Sequence, residues 1–349
     1  MASWRAVRLL MLTLAARSAW VAESVSGSAW RAWAGTNAGL RRGLFWHRGG
    51  PTLWFRTEAP VSAVAFSPDG KLVLTADTKG TMLLLRLRPM KSLNRWIGGH
   101  GKIVRSAAFS PDGERILTAS HDKTARVWNA TTFEEVGTMK HDLGAVSAVY
   151  SPDGKRILTA TPFRVHVWSA TTFKELGTLK GQDDNWHAGH VMSALFSPGG
   201  KRILTASNKG VHVWSAMTFE ELKTVVFGVE VMSAAFSPDG KRIVVAPWDT
   251  TASVWSATTF EELGTLKGHG SIVRSAAFSP DGKRILTLSN DNTARVWNAT
   301  AFEGMKKVDH GNKITSAVFS PDGRRILTAS IDYTAKVWDG TNFTELATL

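Results

Sequence analysis

The chain has 349 residues, 43% of them hydrophobic and 20% charged, a composition that supports a large folded core and excludes a disordered chain. It has no cysteine, which excludes disulfides, thiolate catalysis and cysteine-ligated zinc. The formal charge of +13 is uneven: residues 1–57 carry eight Arg, no Lys and a single acid, Glu23, so the remainder is only mildly basic.

At the N-terminus, a basic start precedes a short apolar run from Leu9 to Ala16 that Arg17 interrupts. Trp4, Val7, Leu10, Met11 and Leu14 recur at helical spacing in a segment rich in Arg, Ala and Ser, which fits a transit peptide better than a secretory signal. Residues 1–50 therefore read as a poorly ordered leader or targeting segment ahead of a folded domain at 51–349, in a cytoplasmic or organellar protein. No apolar run is long enough for a transmembrane helix, so no membrane span is expected.

From residue 52 the chain repeats. Phe-Ser-Pro-Asp-Gly or a close variant begins at Phe66, Phe109, Tyr150, Phe196, Phe236, Phe278 and Phe319, at spacings of 43, 41, 46, 40, 42 and 41 residues. A tryptophan follows at nearly constant offset as Trp128, Trp168, Trp214, Trp255, Trp297 and Trp338, whereas the first copy has Leu85 there. Within each copy four short runs of Val, Ile, Thr, Ala and Phe are separated by turn residues, so each predicts a four-stranded antiparallel meander. Ser-Pro-Asp-Gly suits the first turn: proline presets φ, aspartate bonds nearby backbone and glycine accepts positive φ.

Seven such units packed radially predict an all-β, seven-bladed β-propeller. Either Thr52–Arg56 or Glu345–Leu349 could supply the outer strand of the last blade. The repeats resemble the WD-repeat family over residues 52–349, about 85% of the chain. Gly99-His100 and Gly268-His269 match its Gly-His, and Trp338-Asp339 matches its Trp-Asp ending. The resemblance implies buried tetrads at His100, Thr118, Asp122 and Trp128; at His269, Thr287, Asp291 and Trp297; and at His310, Thr328, Asp332 and Trp338. A buried aspartate needs such donors. Elsewhere Thr57 and Phe227 replace the histidine, and Pro162 and Asn208 the aspartate, so those blades should rest mainly on apolar packing.

The His, Thr and Asp sets recur at a fixed repeat offset instead of converging, which favours a structural role over catalysis. His187 and His190 with Asp183 and Asp184 resemble a metal cluster, but His187 stands nine residues before Phe196, as His100 does before Phe109, and reads as a structural histidine. No phosphate loop, dinucleotide fingerprint or nucleophile elbow occurs; no catalytic residue, cofactor or metal is expected. The Asn-X-Thr sequons at Asn129, Asn298 and Asn342 read as products of repeat duplication.

The turns after Ser-Pro-Asp-Gly carry basic residues such as Lys241 and Arg242, yet acids on the same face make it mixed, so nucleic acid is not the expected partner. The opposite face differs most between copies. Its candidate partner contacts are Trp186, Trp248, Phe163, Tyr333, Asp183 and Asp184. The resemblance thus implies a non-catalytic scaffold, a monomeric propeller within a complex, holding a protein or peptide. Two other readings are a regulatory fragment of a larger enzyme and nucleic-acid binding through residues 1–57.

Overall fold

The computed structural model describes residues 21–24, 30–37, 40–47, 50–56, 59–86, 95–97, 99–179 and 190–348. Seven four-stranded antiparallel sheets follow one another as blades, and no helix occurs among the described residues. Their first strands are Val61–Phe66, Val104–Phe109, Ser147–Tyr150, Val191–Phe196, Val231–Phe236, Val273–Phe278 and Ile314–Phe319. Each blade is a simple meander in which consecutive strands pair.

The turn between first and second strands explains the tetrapeptide. In blade 2 the Asp112 carboxylate accepts from the Ser110 hydroxyl at 2.5 Å and the Glu114 amide at 2.9 Å, and Gly113 takes φ of 76°. The hydrogen bond from Ser110, with that amide, holds Asp112 below the ordinary carboxylate range.

Hydrophobic cores lie between blades. One joins Leu117, Ala119 and Val127 of blade 2 to Ile157 and Trp168 of blade 3, and a matching cluster fills each of the seven seams. Each tryptophan faces the preceding blade because successive strand residues alternate between the two sheet faces.

Blade 7 ends with Glu345–Thr348 paired to Ala335–Asp339, so the C-terminal run is its outer strand. Gly50–Arg56 instead pairs with Leu40–His47 in a separate four-stranded sheet that also holds Val21–Ser24 and Trp30–Asn37. The ring closes by packing of blade 7 on blade 1: Leu327 and Val337 meet Val64, Val73 and Leu85, and Thr315 Oγ1 donates to the Val61 carbonyl at 2.6 Å.

Candidate functional site

Two histidine sets have one geometry. Trp128 Nε1 donates to Thr118 Oγ1 at 2.9 Å, His100 Nε2 lies 2.7 Å from that hydroxyl, and His100 Nδ1 lies 2.8 Å from Asp122. In blade 6 the equivalent distances among Trp297, Thr287, His269 and Asp291 are 2.7, 2.7 and 2.8 Å. The chain of donors is complete with a neutral imidazole: indole to hydroxyl, hydroxyl to Nε2, Nδ1 to carboxylate. Burial, resisted by the aspartate, holds both histidines below their ordinary value. Burial acts to raise Asp122, but hydrogen bonds led by Thr124 and His100 outweigh it and keep the carboxyl below its usual range.

Blade 7 departs from this pattern. His310 Nδ1 meets Thr328 at 2.8 Å and Nε2 meets Thr334 at 2.9 Å, while Asp332 stands 3.7 Å away. Trp338 still donates to Thr328 at 2.9 Å. Asp309 replaces the glycine before the histidine and takes the Gly311 amide, whereas Gly101 and Gly270 give theirs to Asp122 and Asp291. All three sets lie inside blades with their hydroxyls occupied, an arrangement suited to bracing strands.

The blades with incomplete sets keep part of the network. Trp168 and Trp214 donate to Thr159 and Thr205 at 2.7 and 2.9 Å, and Trp255 donates to Ser253 at 2.7 Å. Apolar packing is therefore not their only support. In blade 3, where Pro162 stands in place of aspartate, half-buried His141 has no partner on either ring nitrogen, both shielded from solvent, and packs edge-on against Trp168 with centroids 5.4 Å apart. Burial, aided by nearby His166, pushes His141 down to about 4.

The basic turn residues divide into two classes. Arg242 crosses to the next blade, donating to the Ala299 carbonyl at 2.5 Å and the Gly282 carbonyl at 2.9 Å, with its guanidinium 5.2 Å from the Phe278 ring centroid. Arg156, Arg202 and Arg284 make the same bridges, and Arg115 reaches the Ala170 carbonyl at 2.7 Å. These cations staple seams; their lysine neighbours face solvent. The pairing Phe of one blade with Arg of the blade before it was the signal available in sequence, since both recur at fixed offsets.

The opposite face is formed by second-to-third-strand turns and inter-blade loops. Phe163 and Trp248 are exposed there, at 44% and 47%, beside Leu143, Val229 and Ile331. Phe163 packs edge-on against His190, with centroids 5.7 Å apart. Tyr333 is half-buried in a turn at φ of 74°. Trp186, Asp183, Asp184 and His187 lie outside the described residues.

Among the described residues no group of three His, Asp or Glu side chains could hold a metal, and no helix is long and apolar enough to cross a membrane. A cavity of about 300 Å³ opens at the other end of the ring, lined by Phe66, Phe109, Tyr150 and Phe196 with prolines of the first turns. The sequons carry turn chemistry: Asn298 Oδ1 accepts the amides of Thr300 and Ala301 at 2.8 and 2.9 Å, a role that Ser256 and Asp339 fill elsewhere.

The family model for the WD domain, G-beta repeat, matches residues 52–84, 90–129, 173–215, 222–256, 260–298 and 305–339, well over half of the chain. The third blade, with Pro162 and the unpartnered His141, falls largely between the matched segments. Comparison with curated proteins returned no match.

Proposed function

The chain belongs to the WD domain, G-beta repeat family, whose general role is protein interaction, and from that premise we propose that it is a non-catalytic platform holding a protein or peptide on its variable face. The observation that carries this reading is the placement of exposed apolar side chains. Leu143, Phe163, Val229, Trp248 and Ile331 belong to the loops of that one face, where aromatic and aliphatic anchors favour a protein interface, whereas other exposed apolar side chains, such as Leu176, Leu222 and Leu263, are spread singly along outer strands. The repeated His, Thr and Asp sets support a non-catalytic reading, because their hydroxyls are held by tryptophan and histidine inside the blades. The platform works as a single propeller within a complex. The arginine-rich residues 1–50 take a separate role as leader or targeting segment, on the strength of their composition.

The test is affinity purification of tagged full-length chain from its native cells beside a Phe163→Ala, Trp248→Ala variant of unchanged circular dichroism. Partners recovered with the parent and lost with the variant support the reading. Partners retained equally by both place the interface elsewhere.

A further inference from the structure

Arg105 and Arg274 hold the same place in blades 2 and 6, four residues before Phe109 and Phe278. Each is the extra residue of a bulge in the innermost strand: Ser120 pairs Val104 and Ala119 pairs Ser106, while Ser289 pairs Val273 and Leu288 pairs Ser275. A bulge re-aims its extra side chain away from the regular ladder. On the innermost strand, beside the second-to-third-strand turns, this puts the side chain at the mouth of the central channel on the variable face. Arg105 Nε donates to His121 Nε2 in such a turn at 3.1 Å. The corresponding residues of the other blades are Ser62, Val146, Met192, Met232 and Thr315, all neutral.

Of these seven innermost-strand positions, two therefore carry guanidiniums and none a carboxylate, while Glu230 and Asp249 stand in neighbouring loops of the same face. Arg274 is half-buried, and burial, then the charge of Arg105, holds it below its ordinary value. His121 likewise feels burial and then the cations Arg105 and Lys102. Of the carboxylates in the described second-to-third-strand turns, Asp122 and Asp291 are bonded to His100 and His269, Asp332 accepts from Thr334 and Asp249 from Thr251. Like charges brought together and partly desolvated are unfavourable unless an anion joins them. The surrounding apolar side chains, Phe163 and Trp248 among them, suit a peptide better than a nucleic-acid backbone.

We infer that the channel mouth between Arg105 and Arg274 binds an Asp or Glu side chain of a peptide partner whose neighbouring apolar residues rest on the surrounding loops. This rests on the variable face being the interaction surface. Charge-assisted hydrogen bonds from two guanidiniums would fix the acid, and the loops would select what flanks it.

A random-peptide display library selected on the full chain tests it, followed by titration of the recovered peptide in synthetic form. Acid-containing peptides are expected, with binding weakened about tenfold or more by Arg105→Gln, Arg274→Gln, and equally by changing the peptide's Glu to Gln. The Arg105→Lys, Arg274→Lys variant should retain part of the affinity, and Arg324→Gln on the far face all of it. Peptides without acids that are lost with Trp248→Ala but indifferent to the arginine variants overturn the acid site and leave the face standing. Peptides indifferent to both sets of variants, or no recovered peptide, overturn both. A labelled single-stranded oligonucleotide that binds through both arginines, with no peptide doing so, also overturns the inference.

Discussion

A methyl group placed on Gly177 would lie 2.6 Å from the ring of Phe219. Gly177 is in the outer strand of blade 3, and Phe219 projects from the third-to-fourth-strand turn of blade 4, held at φ of 61°. Phe173 and Phe302 meet Gly137 and Gly264 in the same way. The glycine is a socket, and the left-handed backbone of the phenylalanine aims the ring into it.

Gly177→Ala should therefore destabilise the chain by about 1–3 kcal/mol, because the ring is fixed by its turn and cannot withdraw. Gly199 has nothing within 4 Å of an added β-carbon, and Gly199→Ala should change stability by less than about 0.5 kcal/mol in either direction. Urea denaturation of the two variants decides it; equal losses would show that the socket carries no strain.

The arginine staples predict a difference between adjacent cations. Arg242→Lys keeps the charge but gives up the forked contact with two carbonyls and the face of Phe278, at a cost of about 1–3 kcal/mol. Lys241→Gln, one residue away and exposed, should be silent. Matching denaturation midpoints for both variants would contradict the staple.

Thr287→Val, nearly isosteric, strips the donor and acceptor that join Trp297 to His269. With two buried polar groups left unpaired, a loss of about 2–4 kcal/mol is expected. In blade 5, Ser253→Ala breaks only the Trp255 bond and should cost about 1 kcal/mol. The ratio of the two losses is the measurement; a ratio near unity would mean that the tetrad adds nothing beyond the indole bond.

His141 and His310 are both held down to about 4 in the folded chain, chiefly by burial. An unfolded histidine titrates near 6.5, so between about pH 6.5 and 4 the unfolded chain takes up protons that the folded chain refuses. Stability is then complete above that window, falls as pH drops through it and levels off below, by about 1–3 kcal/mol per histidine. Around His141 the charged and titratable groups are His166, Glu175 and Asp142. His141→Phe should flatten the decline without harming stability at neutral pH, as read from urea midpoints at about pH 7.5 and 5. An undiminished decline would assign the effect to other groups.

Much of this architecture was legible in the repeat. The spacing from Phe66 to Phe319 marked seven meanders, and the Trp and Gly-His offsets marked where side chains meet inside a blade. What a single repeat does not display is contact between blades. Arg242 reads as one of a row of solvated cations until its carbonyl partners arrive from the neighbouring blade, 57 and 40 residues away. Arg105 and Arg274 are far apart in sequence, and the ring brings their charges within reach of each other. The choice between Thr52–Arg56 and Glu345–Leu349 was open because either terminal run could supply the last outer strand; pairing with Ala335–Asp339 decides it for Glu345–Thr348.

Seven seams filled by seven separate cores give the molecule the mechanics of a barrel's staves under a hoop. A stave loosened at one joint leaves the distant joints intact, but tension around the circle is lost all at once. The joint between blades 7 and 1 has Leu85 where the other six present an indole. Lacking that ring, it is where the circle is expected to open, and amide hydrogens of Ile314–Phe319 and Val61–Phe66 should be the first inner-strand hydrogens to exchange as the hoop springs open.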